Sequence, residues 1–412
     1  MPTLNSGTSS TIDRFQIDTS EAVGRARNVY AQILEQKCPG SKAVTSVADA
    51  FGIHRKLAWQ IIRVAYADDP FVAAKHMPSK KSIEAWVKAA KSKGVSGELI
   101  DSIRNASDGF QSLIETHAST KTEFDLMIDS ATSGSDIQIE RKWRQQAFEG
   151  NSFIWGAHCK VLMSLSILMP SEDREHFFHA AQIRGLIGFH QTRPNTRWVV
   201  SQSLAVDDDS KHEQEMQRLA IDPQASERFS GVPVLPEFCS DPMPELERTL
   251  TPEGMMQDEF LSDQIGLQGE RSLVTGEILR NIAPTHAMPN DKIAHFGSGV
   301  RTPCELLHYD LFVHTGLFGE VERELKVFSD IASPYSFRES DELQVGDTIK
   351  RLGMGISMAQ SPDIPGYTEL ARNIFDRLDR KPDDFELYRI RMPYPPVPST
   401  VAVKHELLPK DR

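Results

Sequence analysis

His54, Arg55, Lys56, Trp59, Gln60 and Arg63 fall within ten consecutive residues, at steps of one, three and four. On a helix that spacing gathers them on one side. Arginine, lysine and glutamine are side chains that read base edges in a DNA groove, and the cations also grip phosphates. The chemistry they offer is recognition. A second group lies in His308-Tyr309-Asp310-Leu311-Phe312-Val313-His314. On a strand, His308, Asp310, Phe312 and His314 share one face, and Leu307, Tyr309, Leu311 and Val313 share the other. Two imidazoles and a carboxylate on one face can bind a metal, act as base and orienter, or line a ligand site. The same pattern also suits a half-exposed strand whose polar face meets solvent or a neighbouring helix.

The basic face needs a rigid mount. Ala48, Gly52, Ile53, Ala58 and Ile61 supply one. The small Ala48 admits a close crossing, Gly52 permits a left-handed turn, and Ile53, Ala58 and Ile61 seal the inner face at helical spacing. The pattern predicts helices over about 43–51 and 54–66. An earlier helix is expected from a cap at Ser20 through Val23, Ala26, Val29, Tyr30 and Ile33 to Cys38-Pro39-Gly40. Asp68-Asp69-Pro70 ends the third helix, and Phe71–His76 reads as helical, so no β-wing is evident.

Residues 20–66 resemble the DNA-binding domain of bacterial helix-turn-helix transcriptional regulators. The resemblance implies that the residues opening the second motif helix contact bases; by position these are Arg55, Lys56, Trp59 and Gln60, although Trp59 read by itself suits packing against the helix starting at Ser82 better than covering the phosphate backbone or meeting a thymine methyl. Lys42, Ser46, His54 and Arg63 would hold the DNA backbone, with His54 also suited to a capping role. The chain departs from the pattern at Ala58, where a larger aliphatic is usual. Residues 120–412 resemble no effector domain.

A second pattern follows: Ala90, Gly94, Val95, Ser96, Ile100 and Ile103 repeat the spacing. Its outward face carries Gly97, Glu98, Asp101 and Ser102, and carboxylates facing phosphates oppose binding. Residues 81–117 are therefore expected to pack the domain or pair two subunits.

The net charge of −12 is divided unevenly. Residues 1–120 hold 15 basic and 12 acidic side chains, the remainder 31 and 46. Residues 37–93 hold 11 basic and 4 acidic. Such asymmetry points to nucleic acid for the head and leaves an acidic body. The four cysteines, Cys38, Cys159, Cys239 and Cys304, show no CxxC spacing, which suits a reducing cytoplasm and neither a disulfide framework nor a metal cage. The apolar run Val161–Met169 is too short to span a bilayer, and no signal peptide is read. There is no HExxH helix and no Walker loop; Gly353-Met354-Gly355 lacks a third glycine, and Phe296-Gly297-Ser298-Gly299 is no nucleophile elbow and reads as a turn.

The expected architecture is α+β: an all-α helix-turn-helix domain, then a larger mixed body with mainly antiparallel strands. Residues 1–19 are expected to be a flexible tail, 20–78 the DNA-binding domain, 79–119 a helical connector or dimerisation segment, and 120–412 the body. In the body, 120–150 reads as helical, 153–168 as a strand bending at Gly156, and Ser171 as the cap of a helix to about Gln182. Further strands are expected at 184–190, 197–204, 264–280, 304–316, 324–331, 385–392 and 399–407, with a helix at 366–379. Residues 205–258, acidic and dotted with proline, read as a long connection or a loop wrapping the domain. The function implied is a cytoplasmic, homodimeric transcriptional regulator of double-stranded DNA, with no cofactor, metal or catalytic residue. Its body would sense a small-molecule effector or hold the dimer. A metal-dependent hydrolase using His308, Asp310 and His314, and a structural assembly protein, are the alternatives.

Overall fold

The computed structural model describes residues 8–67, 69–132, 137–194, 197–204, 217–252, 255–261, 264–289, 291–333 and 336–410. The chain is α+β, with a helical N-terminal region followed by a larger body of mostly antiparallel sheet. It divides into two compact units, Met1–Asp136 and Ile137–Arg412.

The first unit is helical. It comprises α1 (Thr8–Lys37), α2 (Val44–Phe51), α3 (Arg55–Ala65), α4 (Pro70–Ala74), α5 (Lys80–Ser92), α6 (Gly97–His117) and α7 (Lys121–Thr132). The long α1 is its spine and packs on α3, α4 and α6. The stripe Ala22, Val23, Ala26, Tyr30, Ile33 and Leu34 is buried, and it continues backwards to Thr19 and Phe15. That continuation corrects the expected tail over 8–19: α1 begins at Thr8, and Ser20 lies inside the helix instead of capping it, while residues 1–7 lie outside the described residues. Phe15 packs edge-on to Phe124 and His117, and His117 Nε2 lies 2.8 Å from Asp18 Oδ2. The rings outweigh the Ser- and Thr-rich composition around them.

Residues 79–119 form no separate connector. Ile83, Trp86, Val87, Ala90, Ile100, Ile103, Ala106 and Phe110 lie in the same core as α1–α3, with Trp86 edge-on to Tyr30 at 4.7 Å. The unit also takes in α7 through Phe124 and Ile128, so the division falls after 136 and not at 120.

The second unit opens with α8 (Ile137–Trp155). Gly156, at φ +70°, then turns the chain into β1 (Ala157–Pro170). The strand expected from 153 thus starts at 157, and Phe153–Trp155 belong to the helix. Where a helix was expected after Ser171, the Ser171 Oγ accepts the N–H groups of Asp173 and Arg174, and the turn feeds β2 (Phe177–Gln191). β1 and β2 pair as one long antiparallel hairpin.

There follow β3 (Trp198–Leu204), β4 (Arg218–Ala220), α9 (Pro223–Arg228), β5 (Glu245–Leu250), β6 (Met255–Leu261), β7 (Arg271–Pro284), β8 (Ile293–Val300), β9 (Cys304–His314), β10 (Glu324–Ser329), β11 (Glu342–Leu343), β12 (Lys350–Met354), α10 (Tyr367–Arg377), β13 (Phe385–Pro393) and β14 (Ser399–Glu406). The long connection expected over 205–258 is largely structured. Val232, Val234 and Leu235 are fully buried, and β5 and β6 form a three-stranded sheet with β3. Residues 205–216 lie outside the described residues. The glycine-rich 296–299 segment, expected as a turn, lies within β8.

A seven-stranded sheet runs β12-β13-β9-β1-β2-β7-β4, and a four-stranded sheet β11-β10-β14-β8. β1 and β9 are parallel; the other named pairs are antiparallel. Leu307, Tyr309, Leu311 and Val313 on one face of β9 share a core with Val327, Val401 and Val403 of the smaller sheet. Leu306 and Phe312 on the other face pack with Tyr367, Ile374 and Phe375 of α10. Both faces are therefore covered, which is why β1 reads as a near-continuous apolar run.

Candidate functional site

In the first unit, α2 ends at Gly52, whose φ is +69°. The N–H of Ile53 reaches back to the Ala48 carbonyl at 3.0 Å, the bond that closes a left-handed helix stop. The chain then extends through His54, the cap of α3. His54 Nδ1 accepts the backbone N–H of Lys56 at 3.2 Å. This places the imidazole proton on Nε2, which is left to donate.

Leu57, Ala58, Ile61, Val64 and Ala65 form the buried side of α3. Ala58 has no exposed surface and lies in the core that α1, α2 and α3 share, where a small residue suits close packing. Arg55, Lys56, Trp59 and Arg63 are exposed and Gln60 is half-buried. The helix, Arg55–Ala65, contains no carboxylate.

Trp59 is 38 % exposed. Its ring meets His76 edge-on at 4.9 Å, and the Arg63 guanidinium stands 5.7 Å from it. Packing and outward presentation are thus combined in one side chain. Burial, then Arg63 and Lys75, hold His76 below the ordinary histidine range, so this support is neutral near pH 7. Lys42 lies over the Tyr66 ring at 4.6 Å, and Ser46 is exposed in the first turn of α2. No side chain caps the start of α2 at Ala43, so its first N–H groups remain available to an acceptor. All eight residues named from the sequence therefore lie on α2, on α3 or just before one of them, and seven are exposed.

The second pattern has the same build. Gly94 has φ +70°, and the Val95 N–H reaches the Ala90 carbonyl at 3.1 Å. Ser96 caps α6 by accepting the Leu99 N–H. Its outward face is acidic and internally paired, with Arg104 near Glu84 and Asp101, and Lys80 near Asp108.

Comparison of this chain with protein-family models, with curated proteins and with solved structures finds no match.

In the second unit, the strand expected half-exposed at 304–316 is a central strand, and its polar face meets a neighbouring helix, α10, instead of solvent. His308 and Asp310 have no exposed side-chain surface. Asp310 takes a two-pronged pair from Arg389, Nε to Oδ1 and Nη2 to Oδ2, both 2.7 Å, and the Tyr367 hydroxyl at 2.9 Å. Burial opposes its charge, but the bonds from Arg389 and the nearby His308 prevail and hold the carboxyl below the usual range. Burial, and then Asp310, push the Tyr367 hydroxyl well up.

His308 Nδ1 lies 3.5 Å from Ser361 Oγ and 3.9 Å from Asp363 Oδ2. Its Nε2 is 3.5 Å from Asp310 Oδ1 without hydrogen-bond geometry. Asp363 is in turn held low, first by Arg391. His314 stands apart at the strand end, where its Nδ1 accepts the Gly316 N–H and its ring meets Phe385. Burial lowers its pKa; Asp384 opposes the shift and Arg380 adds to it.

The three residues named as a ligand set thus do not converge. Among the described residues no three His, Cys, Asp or Glu are placed to hold a metal. Asp310 is already engaged, and the cluster reads as a paired, buried brace between β9, β13 and α10. Arg389, Arg391, Asp363 and Tyr367 escaped the sequence reading because they come from segments remote from the strand; an alternating Arg389–Arg391 opposite an alternating His308–Asp310 is the signal that pairs them.

Proposed function

We propose that this chain is a sequence-specific DNA-binding transcriptional regulator, with α3 as its recognition helix in the major groove. One observation carries the reading: α3 is locked into a helix-turn-helix on its apolar side while its opposite side presents Arg55, Lys56, Gln60 and Arg63 with no carboxylate in the helix. Arg55 and Lys56 suit guanine and Gln60 suits adenine. Lys42, Ser46, Arg63 and the Nε2 of His54 are suited to phosphates on either side, and the open start of α2 adds backbone donors. Trp59 offers an apolar edge for a thymine methyl.

One such helix grips modestly, so the working form would be a homodimer on two half-sites about 34 Å apart. The second unit would provide the dimer contact or sense a small-molecule effector. The place of work would be the cytoplasm; among the described residues no helix is long and apolar enough to cross a membrane. Selection of genomic fragments by the purified full chain, followed by sequencing, tests the reading. Enrichment of one two-fold-symmetric site supports it. Binding without preference that fades smoothly with salt leaves only counterion release and contradicts it.

A further inference from the structure

The two helix-turn-helix patterns of the first unit differ in where their cations lie. In the second, the outward face of α6 carries Glu98 and Asp101, whereas the end of α5 and its turn carry exposed Lys91 and Lys93. Lys37, at the end of α1, donates from Nζ to the Gly94 carbonyl at 3.3 Å, so the end of α1 abuts this turn. Residues 38–43, at most about 20 Å of chain, lead from Lys37 past Lys42 to the uncapped start of α2. Among the described residues no carboxylate pairs with Lys37, Lys91 or Lys93. A run of cations without carboxylate partners thus leads from the α5–α6 turn through Lys37 and Lys42 to the amino end of the helix that precedes the recognition helix.

We propose that the α5–α6 turn is a second phosphate clamp, in which Lys37, Lys91 and Lys93 hold the duplex backbone within one turn, about 34 Å, of the groove taken by α3. The clamp reads no sequence. The carboxylates of α6 keep that helix out of the groove, so the duplicated motif adds grip and leaves base reading to α3. This rests on the reading of α3 as the recognition helix.

The test uses the full chain and a Lys37→Gln, Lys91→Gln, Lys93→Gln variant. Affinity for a selected duplex and a scrambled one is measured from 50 to 200 mM salt. Each lost phosphate contact lowers the salt slope by about 0.9, so the variant's slope shrinks by between two and three, and affinity falls equally on both duplexes. A second variant, Glu98→Gln, Asp101→Asn, binds both duplexes several-fold tighter at low salt. An unchanged slope in the lysine variant, or an unchanged affinity in the acidic one, overturns the clamp. If Arg55→Ala loses base preference while the lysine variant keeps its slope, only the clamp fails. If the unaltered chain binds no duplex with preference, the reading of α3 fails and the clamp with it.

Discussion

His54 Nδ1 and the backbone N–H of Lys56 meet at 3.2 Å, so one imidazole both closes the start of α3 and turns its remaining N–H outward. The cap and the candidate phosphate donor are the two ends of a single ring. His54→Ala is expected to destabilise the first unit by about 1 kcal/mol and to weaken binding on all sequences. His54→Asp should restore the cap but, with acceptor oxygens alone, not the outward donor. Urea unfolding separates the two effects; an alanine variant as stable as the parent would show that the bond contributes nothing.

Base reading and backbone grip should separate in the same way. Arg55→Ala is expected to relax preference at one base pair by about 1–3 kcal/mol, whereas Lys42→Ala should lower affinity uniformly. Competition between duplexes with single changes measures both. An equal loss for Arg55→Ala on every duplex would reassign that residue to a phosphate.

Two glycines predict opposite signs. Gly52 sits at φ +69° with open space around it, so Gly52→Ala meets no clash but must hold a left-handed backbone, at about 1–2 kcal/mol. Gly24 lies inside α1, also with open space, and Gly24→Ala should gain about 0.5–1 kcal/mol. Thermal midpoints that move in the same direction would contradict this account of the turn.

In the second unit, Asp310→Ala would leave Arg389, largely covered beside Tyr367, without its carboxylate and with only the Gln360 carbonyl to bond. The expected loss is about 3–5 kcal/mol, against about 1 kcal/mol for Tyr367→Phe, which removes one hydrogen bond. Retained stability with altered catalysis or metal content would instead point to a chemical role for the brace.

Acid should unfold this unit early. Burial, then Arg323 and His295, hold His405 at about 4, and burial, then His190, hold His158 at about 4. The unfolded chain binds these protons near pH 6.5, so both groups favour the folded state above that value. Their contribution is lost as pH falls from about 6.5 to about 4, on the order of 3 kcal/mol for the nearly enclosed His405. Asp310 and Asp363, held low, go on contributing to lower pH. A stability profile flat from pH 7 to pH 4.5, with His405→Phe no different, would contradict the assignment.

The turn at Gly52 was legible because a left-handed glycine, a small Ala48 and three apolar seals occupy fixed offsets, a local requirement. The strands β9, β10, β13 and β14 were legible for a similar reason, as alternating or continuous apolar runs. What failed was long-range. Phe15 and Thr19 continue the stripe of α1, but the ring partners of Phe15, His117 and Phe124, come from α6 and α7. Phe153, Ile154 and Trp155 look like the start of a strand because they are apolar, yet they are exposed on the last turn of α8. Ser171 looks like a helix cap because a serine that accepts two N–H groups can begin a helix or a hairpin turn, and only pairing with β1 decides between them. The His308–Asp310 pair was visible, but that both faces of its strand are covered depends on α10 and the smaller sheet.

The most direct measurement is the comparative selection of genomic fragments by the full chain and its Arg55→Ala, Gln60→Ala variant at near-physiological salt. The account predicts a recurrent two-fold-symmetric site for the unaltered chain, with at least one base position in each half-site losing its preference in the variant. Enrichment of no site, or of the same site with identical preferences in both proteins, would contradict it.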